Sequence, residues 1–102
     1  MDTNSNSFDD IRIDRNILLK ATGFVLREER KKNNKSQQEL ADDVELSKTT
    51  ISNIESGTKS PTIETWFRIF SKLDLEISKS IKLINLNYNH LKEIEDITLN
   101  SK

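Results

Sequence analysis

Apolar side chains recur along the chain at helical rather than strand spacing. Between about Arg15 and Asn33, Leu18, Ala21, Val25 and Leu26 share one side, and Asp14 just before them can cap a first helix. Gly23 weakens that helix by about 1 kcal/mol relative to alanine, and Asn33-Asn34 then supplies residues that tolerate a left-handed turn. Ser36 followed by Gln37, Gln38 and Glu39 reads as a capping box that starts a second helix with Leu40, Ala41 and Val44 inward. After only Glu45 and Leu46, Ser47 can cap a third helix, with Ile51 and Ile54 inward and Gly57 as its stop. Pro61 breaks the chain, Thr62 caps again, and Ile63, Trp66, Phe67, Phe70 and Leu73 form a strong amphipathic stripe that makes Trp66 the pin of the core.

Beyond Leu73 two periodicities compete. Ile77, Ile81, Ile84, Tyr88 and Leu91 fall at helical spacing, whereas Leu75, Ile77, Ile81 and Leu83 share parity, as in a strand. Helix is the preferred reading. Either form carries more apolar side chains than one small core needs, which points to a partner surface. The first dozen or so residues lack apolar periodicity and are expected to be mobile. The organisation is thus a tail (1–13), a domain (14–74) and an extension (75–102) that is helical and dimerising.

With 102 residues, 33% hydrophobic and 32% charged, the chain suits one small domain with a narrow core and wet outer faces. It has no cysteine, which excludes disulfides, thiolate zinc sites and a cysteine nucleophile. No apolar run approaches the roughly 18–20 residues that span a bilayer, and MDTNSNSFDD is acidic where a secretory signal is basic and then apolar. A cytoplasmic protein without membrane contact is expected; the glycosylation triplet Asn34-Lys35-Ser36 is then irrelevant. The net charge of -1 hides its distribution: -2 over residues 1–16, +2 over 17–72 and -1 beyond. REERKKNNK, residues 27–35, is a local positive patch.

Once Ile51 and Ile54 are assigned inward, Lys48, Thr49, Ser52, Asn53 and Ser56 remain on one contiguous outer face of the third helix. That face holds one lysine, one amide and three hydroxyls and no acid, unlike an ordinary solvated surface. Such short donors and acceptors suit the major groove of DNA: Asn53 can bind adenine twice, Lys48 can donate to guanine, and the Thr49 methyl can meet that of thymine. Ser36 and Gln37, at the start of the second helix, present backbone N–H groups and a positive dipole end to phosphate. Catalysis lacks support. His90 is the sole histidine, Gly23 and Gly57 cannot make a phosphate-cradling loop, and the EIED run reads as a charged helical face. No cofactor or metal is implied.

Residues 24–73 resemble the Cro/phage-repressor, or xenobiotic-response-element, helix-turn-helix family. The resemblance rests on Leu26, Arg27 and Arg30 in LREER; Gln37, Glu39, Leu40 and Ala41 in SQQELA; Val44, Ser47, Ile51, Ile54, Glu55 and Gly57 in VELSKTTISNIESG; and Pro61. It implies an all-α, lambda-repressor-like bundle of about five helices whose third reads DNA. It further implies base contacts from Lys48, Thr49 and Asn53 with Ser52 adjacent, and phosphate or supporting contacts from Gln37, Thr50, Ser56 and Lys59. It also implies a buried salt bridge between Arg30 and Glu55. The function expected is that of a transcription regulator, repressor or activator, acting as a homodimer on a palindromic operator, with the surplus apolar stripe from Leu75 to Leu91 as the dimer contact. One departure is Glu45, where the family's bend usually carries glycine. Because FRIFSKLDLEISKSIKL resembles the helix and dimerising strand of HipB-like antitoxins, a toxin partner is the alternative, favoured by a strand after Leu73. The other alternative is an interaction module that has lost DNA binding.

Overall fold

The computed structural model describes residues 12–100, and every regular element among them is a helix. These are α1 (Arg15–Lys32), α2 (Gln37–Asp43), α3 (Lys48–Glu55), α4 (Ile63–Lys72) and α5 (Ile77–Asn100). All but a fragment of the 1–13 tail lies outside the described residues.

Local side-chain chemistry starts the first four helices. Asp14, Ser36, Ser47 and Thr62 each hold extended backbone and accept from the N–H three residues on, which satisfies one of the orphan donors of a helix start. At α2 the box is reciprocal, because Glu39 in turn accepts from the Ser36 N–H at 2.8 Å. That backbone bond, then the Ser36 hydroxyl, hold the Glu39 carboxyl below its ordinary range, while Lys35 does the same for Asp43. A depressed folded value means stability that is complete above the unfolded value and lost as pH falls through the folded one. Acidification below the ordinary Asp and Glu values, about 3.9 and 4.3, is therefore expected to loosen α2. Glu39→Gln should flatten the fall of the melting temperature with acid relative to the parent.

The first four helices also end alike. The N–H groups of Lys35, Leu46, Thr58 and Leu75 reach back five residues to Arg30, Ala41, Asn53 and Phe70, and the residue before each is left-handed: Asn34 (φ 56), Glu45 (φ 58), Gly57 (φ 79) and Asp74 (φ 58). This is the Schellman stop, and only Gly57 meets it without a Cβ.

α1 packs against both α3 and α5, α2 against α3, and α4 against α5. The buried cluster takes Ala21, Val25 and Leu26 from α1, Leu40 and Ala41 from α2 with Val44 at its end, and Ile51 and Ile54 from α3. Ile69 and Phe70 of α4, Leu73 and Leu75 beyond it, and Ile84 of α5 complete it. Leu18 packs against this cluster as expected, half-buried, while Ile17 and Leu19 on either side of it, not singled out by the sequence, are buried as well. Two expectations need correction. The α4 stripe is turned so that Ile69, Phe70 and Leu73 face the core, leaving Ile63 70% and Phe67 47% exposed. Ile63 opens the helix at the rim, where no neighbouring helix covers it. Trp66 is half-buried and meets the ring of Phe70 edge-on at 6.1 Å, so Phe70 is the aromatic that pins the core.

The segment after Leu73 is helical. Its stripe is split: Ile84 is buried, Ile77, Tyr88 and Leu91 are half-buried, and Ile81 is exposed. α5 lies along α1, where the Tyr88 hydroxyl accepts from the Asp14 N–H at 2.9 Å.

Candidate nucleic-acid interface

α3 is held from behind and bare in front. Ile51 and Ile54 sink into the cluster, while Lys48, Thr49 and Asn53 are exposed and Ser52 is half-buried. None of these four side chains is engaged by another described residue, so their hydrogen-bonding groups stand ready for an outside partner. Thr50 and Ser56 differ. The Thr50 hydroxyl shares a hydrogen bond with Ser47 at 2.8 Å, and the Ser56 hydroxyl donates to the Asn53 carbonyl at 3.1 Å. Both brace the two ends of α3. Lys59 is exposed in the following loop, with its N–H on the Asn53 carbonyl at 3.2 Å.

The α2 start lies beside this face. Ser36 is exposed, but its N–H is consumed by the capping box, which leaves those of Gln37 and Gln38 as the open donors. The Gln37 amide donates to Glu55 Oε1 at 3.1 Å. Glu55 also receives Arg30 Nε on Oε2 at 2.6 Å and Nη2 on Oε1 at 3.1 Å, while Arg30 Nη1 donates to the Lys35 carbonyl at 2.7 Å. One bidentate pair thus joins α1, α2, α3 and the first bend. With side chains 11% and 5% exposed, Arg30 and Glu55 are nearly dry, and the hydrogen bond to Glu55 is the chief cause that raises the guanidinium's pKa above its ordinary value.

Sequence reading passed over Arg27 and Lys31 as individual contacts. Both line a notch of about 280 Å³ with Gln37, Ser52 and Ser56, above the Arg30–Glu55 pair. The signal was the REERKKNNK run, in which the spacing 27, 30, 31 puts three cations on one side of a helix.

Glu45 sits in the bend between α2 and α3 and accepts a left-handed conformation, for which a residue with a Cβ is penalised by about 1–2 kcal/mol. Glu45→Gly is expected to stabilise the protein by about 0.5–1 kcal/mol, the strain released less the extra freedom of the unfolded chain. Urea unfolding measures it.

Among the described residues no group of acidic, histidine or cysteine side chains is arranged to hold a metal, and no helix is long and apolar enough to cross a membrane. A family model described as helix-turn-helix matches residues 26–79, more than half of the chain. The clp gene regulator ClgR from Corynebacterium glutamicum has a similar structure, with a TM-score of 0.75 and 22% identity, over 79% of this chain and 86% of that one. So does the restriction-modification controller protein C.Esp1396I, solved as a tetramer with its natural 35 base-pair operator (TM-score 0.63, 25% identity, 70% of this chain and 93% of that one). No curated protein sequence matches the chain.

Proposed function

The chain belongs to the helix-turn-helix family of Cro and phage-repressor type, whose members are DNA-binding regulators and not enzymes, and from that premise we propose that it is a sequence-specific transcription regulator binding double-stranded DNA. The observation that carries the reading is the bare outer face of α3, with Lys48, Thr49, Ser52 and Asn53 exposed or half-buried, unengaged and free of acid. In this reading those four touch base edges, with Asn53 bidentate to adenine. The open N–H groups of Gln37 and Gln38 at the α2 start, together with the side chains of Gln37, Thr50 and Lys59, fix register on the phosphates, and Ser36 and Ser56 support these contacts as the caps of α2 and α3. Arg27 and Lys31 extend that phosphate contact along α1.

Residues 14–74 carry the DNA-binding part and the extension from 75 the dimer contact, with two copies placing their α3 helices in successive major grooves about 34 Å apart on a palindromic operator. The exposed Ile81, Leu86, Ile94, Ile97 and Leu99 of α5 support a contact between copies, as does the oligomeric state of C.Esp1396I on its operator. A helix after Leu73 favours this reading over the antitoxin, and no toxin partner is proposed.

The test is selection of bound fragments from random duplex DNA, followed by titration of two variants on the selected site. Asn53→Ala is expected to relax preference at one base pair, at a cost of about 1–3 kcal/mol. Gln37→Ala should weaken all sequences alike. Affinity should fall linearly with salt on logarithmic axes. A salt-independent or undetectable interaction would instead support a protein-interaction module.

A further inference from the structure

The back of the recognition helix borders a second cavity. Its volume is about 520 Å³, and it lies where α1, the last turn of α3 and α5 meet. Lys20 and Arg27 of α1 and His90 of α5 line it from two helices, beside Asn87, whose amide is already committed to the Leu83 carbonyl at 2.9 Å. None of the three is engaged by any described residue. The one carboxylate in the lining, Glu55, is already bound by Arg30 and Gln37, so the groove keeps an unbalanced positive charge. Phe24 and Leu91 add apolar wall. Cavities of about 300–1,000 Å³ with apolar walls and a few converging polar groups are the usual shape of small-molecule sites.

We infer that this groove binds a small organic anion, with a carboxylate or phosphate between Lys20, Arg27 and the His90 ring and an apolar or aromatic body against Phe24 and Leu91. DNA backbone is the less suitable occupant. A recognition helix offers its N-terminal residues to the bases, whereas the groove meets α3 only at its C-terminal end, Glu55 and Ser56, about 10 Å along the axis from Lys48, and shares only Arg27 and the supporting Ser56 with the side proposed to meet phosphate. Arg27 lines both this groove and the notch beside Gln37. An anion that draws Arg27 into the groove removes a cation from the phosphate-facing side. Binding therefore weakens operator affinity, a consequence that rests on the proposed function, whereas the site itself does not.

The full chain, without DNA and at constant ionic strength, is titrated with phenyl phosphate and separately with inorganic phosphate, and two-dimensional NMR follows the backbone amides. Phenyl phosphate should shift Phe24, Ser56, Gly57 and His90 on one saturable curve, binding about tenfold more tightly than inorganic phosphate. That ratio reflects apolar burial worth one or two methylene groups. Lys20→Gln and Phe24→Ala, each with the parent's helical circular dichroism, should weaken it about tenfold. Equal response to the two probes, shifts confined to the α2 start, or unchanged affinity in both variants overturns the inference. So does a Lys20→Gln protein whose ligand-free operator binding has a salt slope lower by about 0.9, since the groove would then belong to the DNA backbone. Loss of operator binding by the parent refutes the proposed function and leaves the probe titration unaffected.

Discussion

Gly23→Ala will destabilise the protein by about 3 kcal/mol, although helix propensity alone awards the change a gain of about 1 kcal/mol. The sign is set by what lies across from the residue. A Cβ built at Gly23 falls 2.4 Å from the Ile54 carbonyl oxygen and 2.5 Å from that of Glu55. Both are backbone atoms at the end of α3, so no rotamer change relieves the overlap and the two helices must part. Parting them disturbs Ala21, Val25, Leu26, Ile51 and Ile54 together, since these fill the space between α1 and α3. Urea unfolding measures the loss, and a midpoint at or above the parent's would refute the account. Because the same backbone carries Glu55, operator affinity should fall with it.

Gly23 also marks where sequence reading stops. The caps at Asp14, Ser36, Ser47 and Thr62 were legible because each depends on a side chain and an N–H three residues away. The outer face of α3 was legible by elimination, once Ile51 and Ile54 were assigned inward. Gly23 read only as a weak point in a helix, since the reason for its lack of a Cβ lies about thirty residues further along the chain. The α4 stripe failed for another cause. Ile63, Trp66, Phe67, Ile69, Phe70 and Leu73 cover more of the helix circumference than one small core can, so periodicity alone does not choose among them. In LEISKSIKL both periods fit, and packing along α1 decides for helix. The pairing of Arg30 with Glu55 came from family resemblance alone; nothing in spacing joins two residues on separate helices. The groove at Lys20, Arg27 and His90 has no sequence signal, since the His90 ring joins the other two only in the folded chain.

Glu55→Ala is the second large effect, expected to cost about 3–5 kcal/mol, because it strands a nearly dry guanidinium and leaves the Gln37 amide without its acceptor. Arg30→Ala should cost a similar amount and in addition leave the Lys35 carbonyl without its donor. If each loss is the penalty of an uncompensated charge and not a contact energy, the two will not add: the double alanine variant should lie well above the sum of the singles. Replacing both partners with apolar residues of similar size, Arg30→Met with Glu55→Leu, should retain more stability than either single alanine variant, as buried ion pairs elsewhere lead one to expect. Operator affinity should not recover with it. Gln37 is oriented by Glu55 Oε1, so an apolar pair restores the packing between α1 and α3 without restoring the side chain proposed to meet phosphate. Stability and affinity measured on the same four proteins separate these two roles, and equal recovery of both would show that Gln37 needs no carboxylate to hold it.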